Sequence, residues 1–272
     1  MSQLRRETRR LVRAAFLLAH LAGGVLTAYP VFSLLALARI DPHGRRRAAM
    51  VRAWIRTLLR ILNVSLYVRG HIQTGAVLYC ANHVSWLDIP CLRAVVDASF
   101  VAKSEVRRWP LVGGLAARAG TLFLKRGNHD ATSEIAERMT WLLAANKPVI
   151  VFPEGTSTDG SAVLRFHARL YQAASRIDGY AQAVAIRYPW ETGINPAVPF
   201  VGEDNLAGHL WRLLEEESIE AELHFCAPLT TAGRERRALA ETTRGQILAV
   251  LGFESDVTCS ISNYREPLII QM

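Results

Sequence analysis

The feature that most constrains this chain is a run of 25 residues without charge, Ala14 to Ala38, set between clusters of arginine. A helix needs roughly 20 apolar residues to cross a bilayer, so the run is long enough. Arg5, Arg6, Arg9, Arg10 and Arg13 precede it, and Arg39 and then Arg45, Arg46 and Arg47 follow. A single span would place one of those clusters on the disfavoured side of the membrane. Gly23-Gly24 and Pro30 also interrupt the run, which predicts a re-entrant or interfacial helical anchor on the cytoplasmic face. A cleaved signal peptide competes, with Ala36-Leu37-Ala38 as a cleavage site, but its apolar region is ordinarily only about 7–15 residues.

The charge follows the same division. Up to Gly70 there are thirteen arginines and two acidic residues, a net of +11, while the other 202 residues carry a net of −3. The basic end is thus also the apolar end. Arg45, Arg52, Arg56 and Arg60 fall on one helical stripe, and Trp54, Ile55, Leu58 and Leu62 on another. A basic amphipathic helix suits either an anionic lipid surface or the outside of a core with a solvated arginine face. Nucleic acid fits less well, because these arginines bracket apolar runs and few aromatics are placed to stack on bases.

Composition excludes some classes outright. Half the residues are hydrophobic and 21% are charged, too apolar for a disordered chain. The apolar residues are not gathered into many long runs, as a multi-span transporter requires. The four cysteines, at 80, 91, 226 and 259, lack the spacing of zinc sites or redox dithiols.

After Asn63 the pattern alternates. Val64–Val68, Ala76–Cys80, Ser99–Ala102, Thr121–Leu124, Val149–Phe152, Gln182–Ile186 and Glu220–Cys226 read as strands. Leu87–Val96, Val106–Arg118, Ala131–Ala145, Leu206–Glu217 and Arg234–Leu251 read as helices. This predicts an α/β fold with a mixed, largely buried sheet flanked by helices and an N-terminal membrane-associated helical segment. Residues 1–62 form the anchor and basic helix, and 63–272 the remaining domain. Ligands on such sheets sit past the carboxyl ends of strands.

Two strand ends carry polar clusters. The first is Asn82-His83-Val84-Ser85-Trp86-Leu87-Asp88. An aspartate five positions after a histidine can fold back to hold one ring nitrogen while the other faces a substrate. Ser85-x-x-Asp88 equally suits a helix capping box. The second is Phe152-Pro153-Glu154-Gly155-Thr156-Ser157-Thr158-Asp159-Gly160, either a turn closing on a ligand or a simple loop of small residues.

Together, Asn82-His83-x-Ser85-x-x-Asp88 and Phe152-Pro153-Glu154-Gly155-Thr156 resemble the first and third motifs of the glycerolipid acyltransferase family. Phe100 to Glu105 with Pro110 and Gly113 resembles its linking block, Gly120 to Arg126 its second motif, and Ala183 to Ile186 its fourth. The resemblance spans about Leu66 to Pro189.

The resemblance implies acyl transfer from an acyl thioester, acyl-CoA or acyl carrier protein, to the hydroxyl of a lysolipid at a bilayer. It implies His83 as general base oriented by Asp88, and substrate binding by Lys103, Arg126, Glu154, Gly155 and Thr156. No cofactor, metal or nucleic acid is implied. The expected location is the cytoplasmic face of a bacterial inner membrane. The expected acceptor is 1-acylglycerol-3-phosphate, giving phosphatidic acid. Ser157 departs from the arginine that members acting on that acceptor carry after Glu-Gly-Thr, and Asp159 adds negative charge. A lyso-ornithine lipid is therefore the alternative acceptor. A lysolipid-binding protein without catalysis, or a hydrolase using the same pair with water, are the readings from other classes.

Overall fold

The computed structural model describes residues 2–37, 44–108, 112–118, 120–124, 129–191, 193–253 and 268–270. In chain order the elements are α1 (Ser2–Leu37), α2 (Arg45–Ile61), β1 (Val64–Gly70), β2 (Val77–Ala81), α3 (Asp88–Val95) and β3 (Ser99–Lys103). Next come α4 (Val112–Arg118), β4 (Leu122–Leu124), α5 (His129–Ala144), β5 (Val149–Val151), β6 (Tyr180–Arg187), β7 (Pro189–Trp190) and β8 (Gly193–Ile194). The chain ends with α6 (Leu206–Leu213), β9 (Ile219–Phe225), β10 (Leu229–Thr230), α7 (Arg236–Leu251) and β11 (Leu268–Ile270).

All seven expected strands form, and with β11 at one edge they build a sheet in the order β11-β1-β9-β6-β2-β5-β3-β4, with β10 pairing against β6. β6, β2, β5, β3 and β4 run parallel, β1 and β9 are parallel to each other, and the two groups meet antiparallel between β6 and β9. β2 shows why the centre of the sheet is apolar throughout. Val77, Tyr79 and Ala81 join Leu59, Leu62, Leu92 and Leu213 on one face, while Leu78 and Cys80 join Met139, Leu143 and Ile247 on the other. Helices cover both faces, so every residue of β2 is buried. On β6 the second face presents Ala181, Ala183 and Ala185, small residues that let α7 lie close against the strand.

Three helix expectations are corrected. Val106–Arg118 is not one helix: Ser104–Arg108 is a 3-10 turn, and α4 begins only at Val112. The expected break of the apolar run is also absent, because α1 continues through Gly23-Gly24 and Pro30 for 36 residues. At 1.5 Å per residue that is about 54 Å of helix. Gly24 serves packing instead, while Gly23 faces open space. A Cβ at Gly24 would lie 2.6 Å from Trp54 Nε1, so glycine lets α2 approach, and the His20 ring stacks on Trp54 at 4.5 Å.

Three of the N-terminal arginines, Arg9, Arg10 and Arg13, are committed within the protein. Arg13 Nη1 donates to the carbonyl of Glu216 at 2.5 Å and its Nη2 to that of Glu217 at 3.3 Å, while Arg9 Nη1 reaches the carbonyl of Glu215 at 3.1 Å. Arg10 pairs with the Glu215 carboxylate and lies over the Trp211 ring at 4.8 Å. These are the carbonyls just past the end of α6, where a helix presents partial negative charge. α6 stops at Leu213, short of the expected Glu217. The arginines dock α1 onto α6.

Removing this clasp is expected to loosen α1 without unfolding the sheet. Arg13→Ala should cost about 1–2 kcal/mol, for partly exposed hydrogen bonds from a charged donor. Thermal unfolding in detergent should shift down by about 2–4 °C. An unchanged melting temperature would show that the clasp contributes nothing.

Candidate active site

Because β2, β5 and β6 are parallel neighbours, their carboxyl ends open on one edge of the sheet, and the two polar clusters meet there. The loop after β2 begins with Asn82, which is buried and continues the ladder with its side chain. Its Nδ2 donates to the Ile186 carbonyl at 3.0 Å, and its Oδ1 accepts the Ile186 N–H at 2.7 Å. His83 follows, with its backbone held from both sides: its N–H donates to Glu154 Oε1 at 2.8 Å, and its carbonyl accepts the Thr158 N–H at 2.8 Å.

Asp88, the first residue of α3, is fully buried. Its Oδ2 accepts the N–H groups of Val84 at 2.8 Å and Ser85 at 3.0 Å and lies 2.7 Å from His83 Nδ1. Its Oδ1 accepts the Tyr188 hydroxyl at 2.6 Å. The capping box read from Ser85-x-x-Asp88 does not form, because α3 starts after Leu87 without a side-chain cap; the Asp88 carboxylate instead gathers the N–H groups of its own loop and faces the imidazole. With a carboxylate facing Nδ1, the ring carries its proton there and leaves Nε2 as an acceptor. The Phe152 ring stacks on the imidazole at 4.1 Å and 21°, fixing its plane. The His83 side chain is 20% exposed, so a solvent- or substrate-facing path remains. This geometry suits proton abstraction from a hydroxyl.

Glu154 is placed differently from a headgroup ligand. It is 4% exposed, and its oxygens accept the His83 N–H and, at 2.7 Å, the Leu164 N–H. Burial pushes its carboxyl pKa up, and those two N–H donors pull it back. Its side chain ties the two clusters together. Gly155 beside it has φ +73°, a left-handed backbone that favours glycine, and Thr156 is exposed. Lys103 ends β3, paired with Leu124 on β4 and separated from β2 by β5, about 10 Å across the sheet. Arg126 lies outside the described residues. Ser157 Oγ donates to the Phe200 carbonyl, and Asp159 Oδ1 accepts the Ser161 N–H at 2.9 Å and its hydroxyl at 2.6 Å. Those bonds hold the exposed Asp159 carboxyl below its ordinary pKa.

Tyr188 is the residue that sequence reasoning missed. Burial, then Asp88 and Cys91, push its phenol well above the usual range, so it serves as a donor. Its only sequence signal is a tyrosine just past an apolar strand. His209 is buried and hydrogen-bonded.

A mixed sheet layered between helices, carrying a histidine–aspartate pair at its carboxyl edge, suits an enzyme that takes a proton from a hydroxyl. Residues 63–187 match the model of the family described as Acyltransferase. The chain is 36% identical over 245 residues to a lyso-ornithine lipid O-acyltransferase of Pseudomonas aeruginosa, covering 90% of this chain and 94% of that one. It is 32% identical to a 1-acyl-sn-glycerol-3-phosphate acyltransferase of Neisseria meningitidis, covering 79% and 85%. The crystal structure of the 1-acyl-sn-glycerophosphate acyltransferase PlsC from Thermotoga maritima has the same fold, with a TM-score of 0.61 at 20% identity over 94% of this chain and all of that one. The chain belongs to the acyltransferase family and is an acyltransferase.

Two outcomes follow from this geometry. Tyr188→Phe leaves a buried carboxylate oxygen without its donor, and urea unfolding should show a loss of about 1–3 kcal/mol; a neutral change would mean that this contact contributes little. Burial also lowers the pKa of His209 and His224, keeping both neutral in the folded chain, whereas the unfolded chain protonates them below about pH 6.5. Stability should therefore fall as pH drops through that value and level off below the depressed folded-state pKa. Melting curves against pH should show a shallower fall for His209→Gln than for the wild type; parallel curves would contradict this.

Proposed function

We propose that this chain is a membrane-associated O-acyltransferase that moves a fatty acyl group from an acyl thioester to the hydroxyl of a lysolipid. The single observation that carries the reading is the His83–Asp88 pair, 2.7 Å apart, with a buried carboxylate behind a partly exposed ring. His83 Nε2 takes the acceptor hydroxyl proton as the oxygen attacks the thioester carbonyl. Asp88 stabilises the imidazolium that forms. The tetrahedral intermediate collapses with cleavage of the C–S bond, and the proton passes from His83 to the leaving thiolate. No acyl-enzyme is needed. Acyl-CoA and acyl carrier protein are both suitable donors, and Lys103 and Arg126 are assigned to the anionic groups of donor or acceptor.

The acceptor we favour is a lyso-ornithine lipid. Relatives carrying that name include proteins from Pseudomonas aeruginosa and, at 37% identity, Brucella abortus. An ornithine headgroup bears an ammonium group, and Asp159 offers an exposed carboxylate in the loop after Glu154. Lysophosphatidate is the second reading, supported by the Neisseria relatives at 32% and 34% identity.

The membrane reading rests on α1. Gln3–Thr27 is long and apolar enough to cross a membrane, with 11% of its apolar window buried. Leu4, Leu11, Phe16, Leu18 and Leu26 are exposed along it. Substrate and product both partition into lipid, so an enzyme held at the bilayer meets them where they are concentrated.

Thiol release from acyl-CoA by the detergent-solubilised chain tests the chemistry. Release should depend on an added lysolipid, and His83→Ala should lower it about 100- to 10,000-fold, the range for loss of a general base. Release that persists without acceptor would point to hydrolysis, and an unaffected His83→Ala would remove the mechanism. Comparing lyso-ornithine lipid with lysophosphatidate as acceptor decides between the two headgroups.

A further inference from the structure

Trp86 lies within the loop that joins His83 to Asp88, and its indole makes a contact far from that loop in sequence. Nε1–H donates to Nδ1 of His209 on α6 at 2.9 Å. The opposite nitrogen, Nε2, lies 2.9 Å from the Val198 carbonyl and 3.1 Å from that of Pro199. A donor faces Nδ1 and only carbonyls face Nε2, so one neutral tautomer satisfies every contact. His209 is 1% exposed, and the helix that carries it starts on a cap, Asn205 Oδ1 accepting the Gly208 N–H at 2.8 Å.

The segment on the other side of His209 touches both polar loops. Phe200 N–H donates to the Val84 carbonyl at 3.0 Å, and the Phe200 carbonyl accepts Ser157 Oγ. The Phe200 ring meets His209 edge-on at 5.2 Å. Arg212, one turn along α6 from His209, donates to the carbonyls of Ala197 and Pro199 at 3.2 Å and pairs with Asp204 at 3.1 Å. Residues 197–200 are therefore fastened to α6 and in turn brace the loops carrying His83 and Glu154.

We infer that His209 is a positioning residue for acyl transfer: through Trp86 and through the Val198-Pro199 backbone it fixes the loop that holds His83 against Asp88. It touches neither substrate nor the reacting atoms. The inference rests on the role proposed above for His83. Removing the imidazole leaves the Trp86 N–H and the Val198 carbonyl without partners, and the loop then has freedom to shift. Displacements of about 1 Å in a reacting geometry can cost roughly 100-fold in rate.

The test uses the full chain in detergent, with acceptor-dependent thiol release measured at temperatures well below each variant's melting point. His209→Leu removes both hydrogen-bonding nitrogens. Trp86→Phe removes the donor with the pyrrole ring that carries it and keeps a six-membered aromatic ring. His209→Gln restores one acceptor and one donor. Expected are falls in kcat of about 10- to 100-fold for His209→Leu and Trp86→Phe, with KM for donor and acceptor within about twofold of wild type. The double variant should be no worse than the poorer single one, and His209→Gln should recover most of the rate. Should His209→Leu and Trp86→Phe lower only the melting temperature, or should the two losses multiply, or should Gln do no better than Leu, the inference is overturned. His83→Ala, run alongside, keeps the two readings apart. If it remains active, the proposed mechanism fails regardless of His209; if it is inactive while His209→Leu works at the wild-type rate, only the positioning role fails.

Discussion

The structure around the site depends on one buried carboxylate. Asp88 is fully excluded from water, and a group of that charge in such a place requires partners on both oxygens. It has four: two backbone N–H groups of its own loop, the His83 ring and the Tyr188 hydroxyl. The first two fold the loop after β2 into the start of α3. The third fixes which face of the imidazole is turned outward. The fourth joins that loop to the end of β6, so that the spacing of adjacent strands, about 4.8 Å, sets where the pair sits.

A second carboxylate repeats the device one strand over. Glu154 follows β5 and accepts N–H groups from His83 and Leu164, binding the two loops to each other across β2 and β5. Both carboxylates are thereby occupied in shaping backbone, and of these three groups the imidazole is the partly exposed one. The electrostatic arrangement is economical, because burial strengthens each hydrogen bond to the carboxylates and would penalise any that were missing.

Much of this was legible in the sequence, for identifiable reasons. The seven main strands are runs of β-branched and apolar residues, and a sheet covered on both faces makes such runs nearly continuous. His83, Asp88 and Glu154 lie within two short segments whose polar residues stand out at strand ends. β7, β8, β10 and β11 were not foreseen, because pairs of two or three residues carry no periodicity. Gly23-Gly24 and Pro30 misled for a different reason: local propensity argues for a break, while packing against Trp54 uses Gly24 as a point of close approach. The Tyr188–Asp88 and His209–Trp86 contacts were illegible because the partners are 100 and 123 residues apart, so nothing nearby in sequence signals either contact.

The central claim is that His83 and Asp88 act as one unit. A double-mutant cycle on acceptor-dependent acyl transfer tests it most directly, with His83→Ala, Asp88→Asn and the double variant each confirmed as folded. The account predicts that each single variant loses two or more orders of magnitude and that the double variant is about as poor as His83→Ala alone, as for residues that function together. Near-wild-type transfer by Asp88→Asn, or losses that multiply in the double variant, would contradict it.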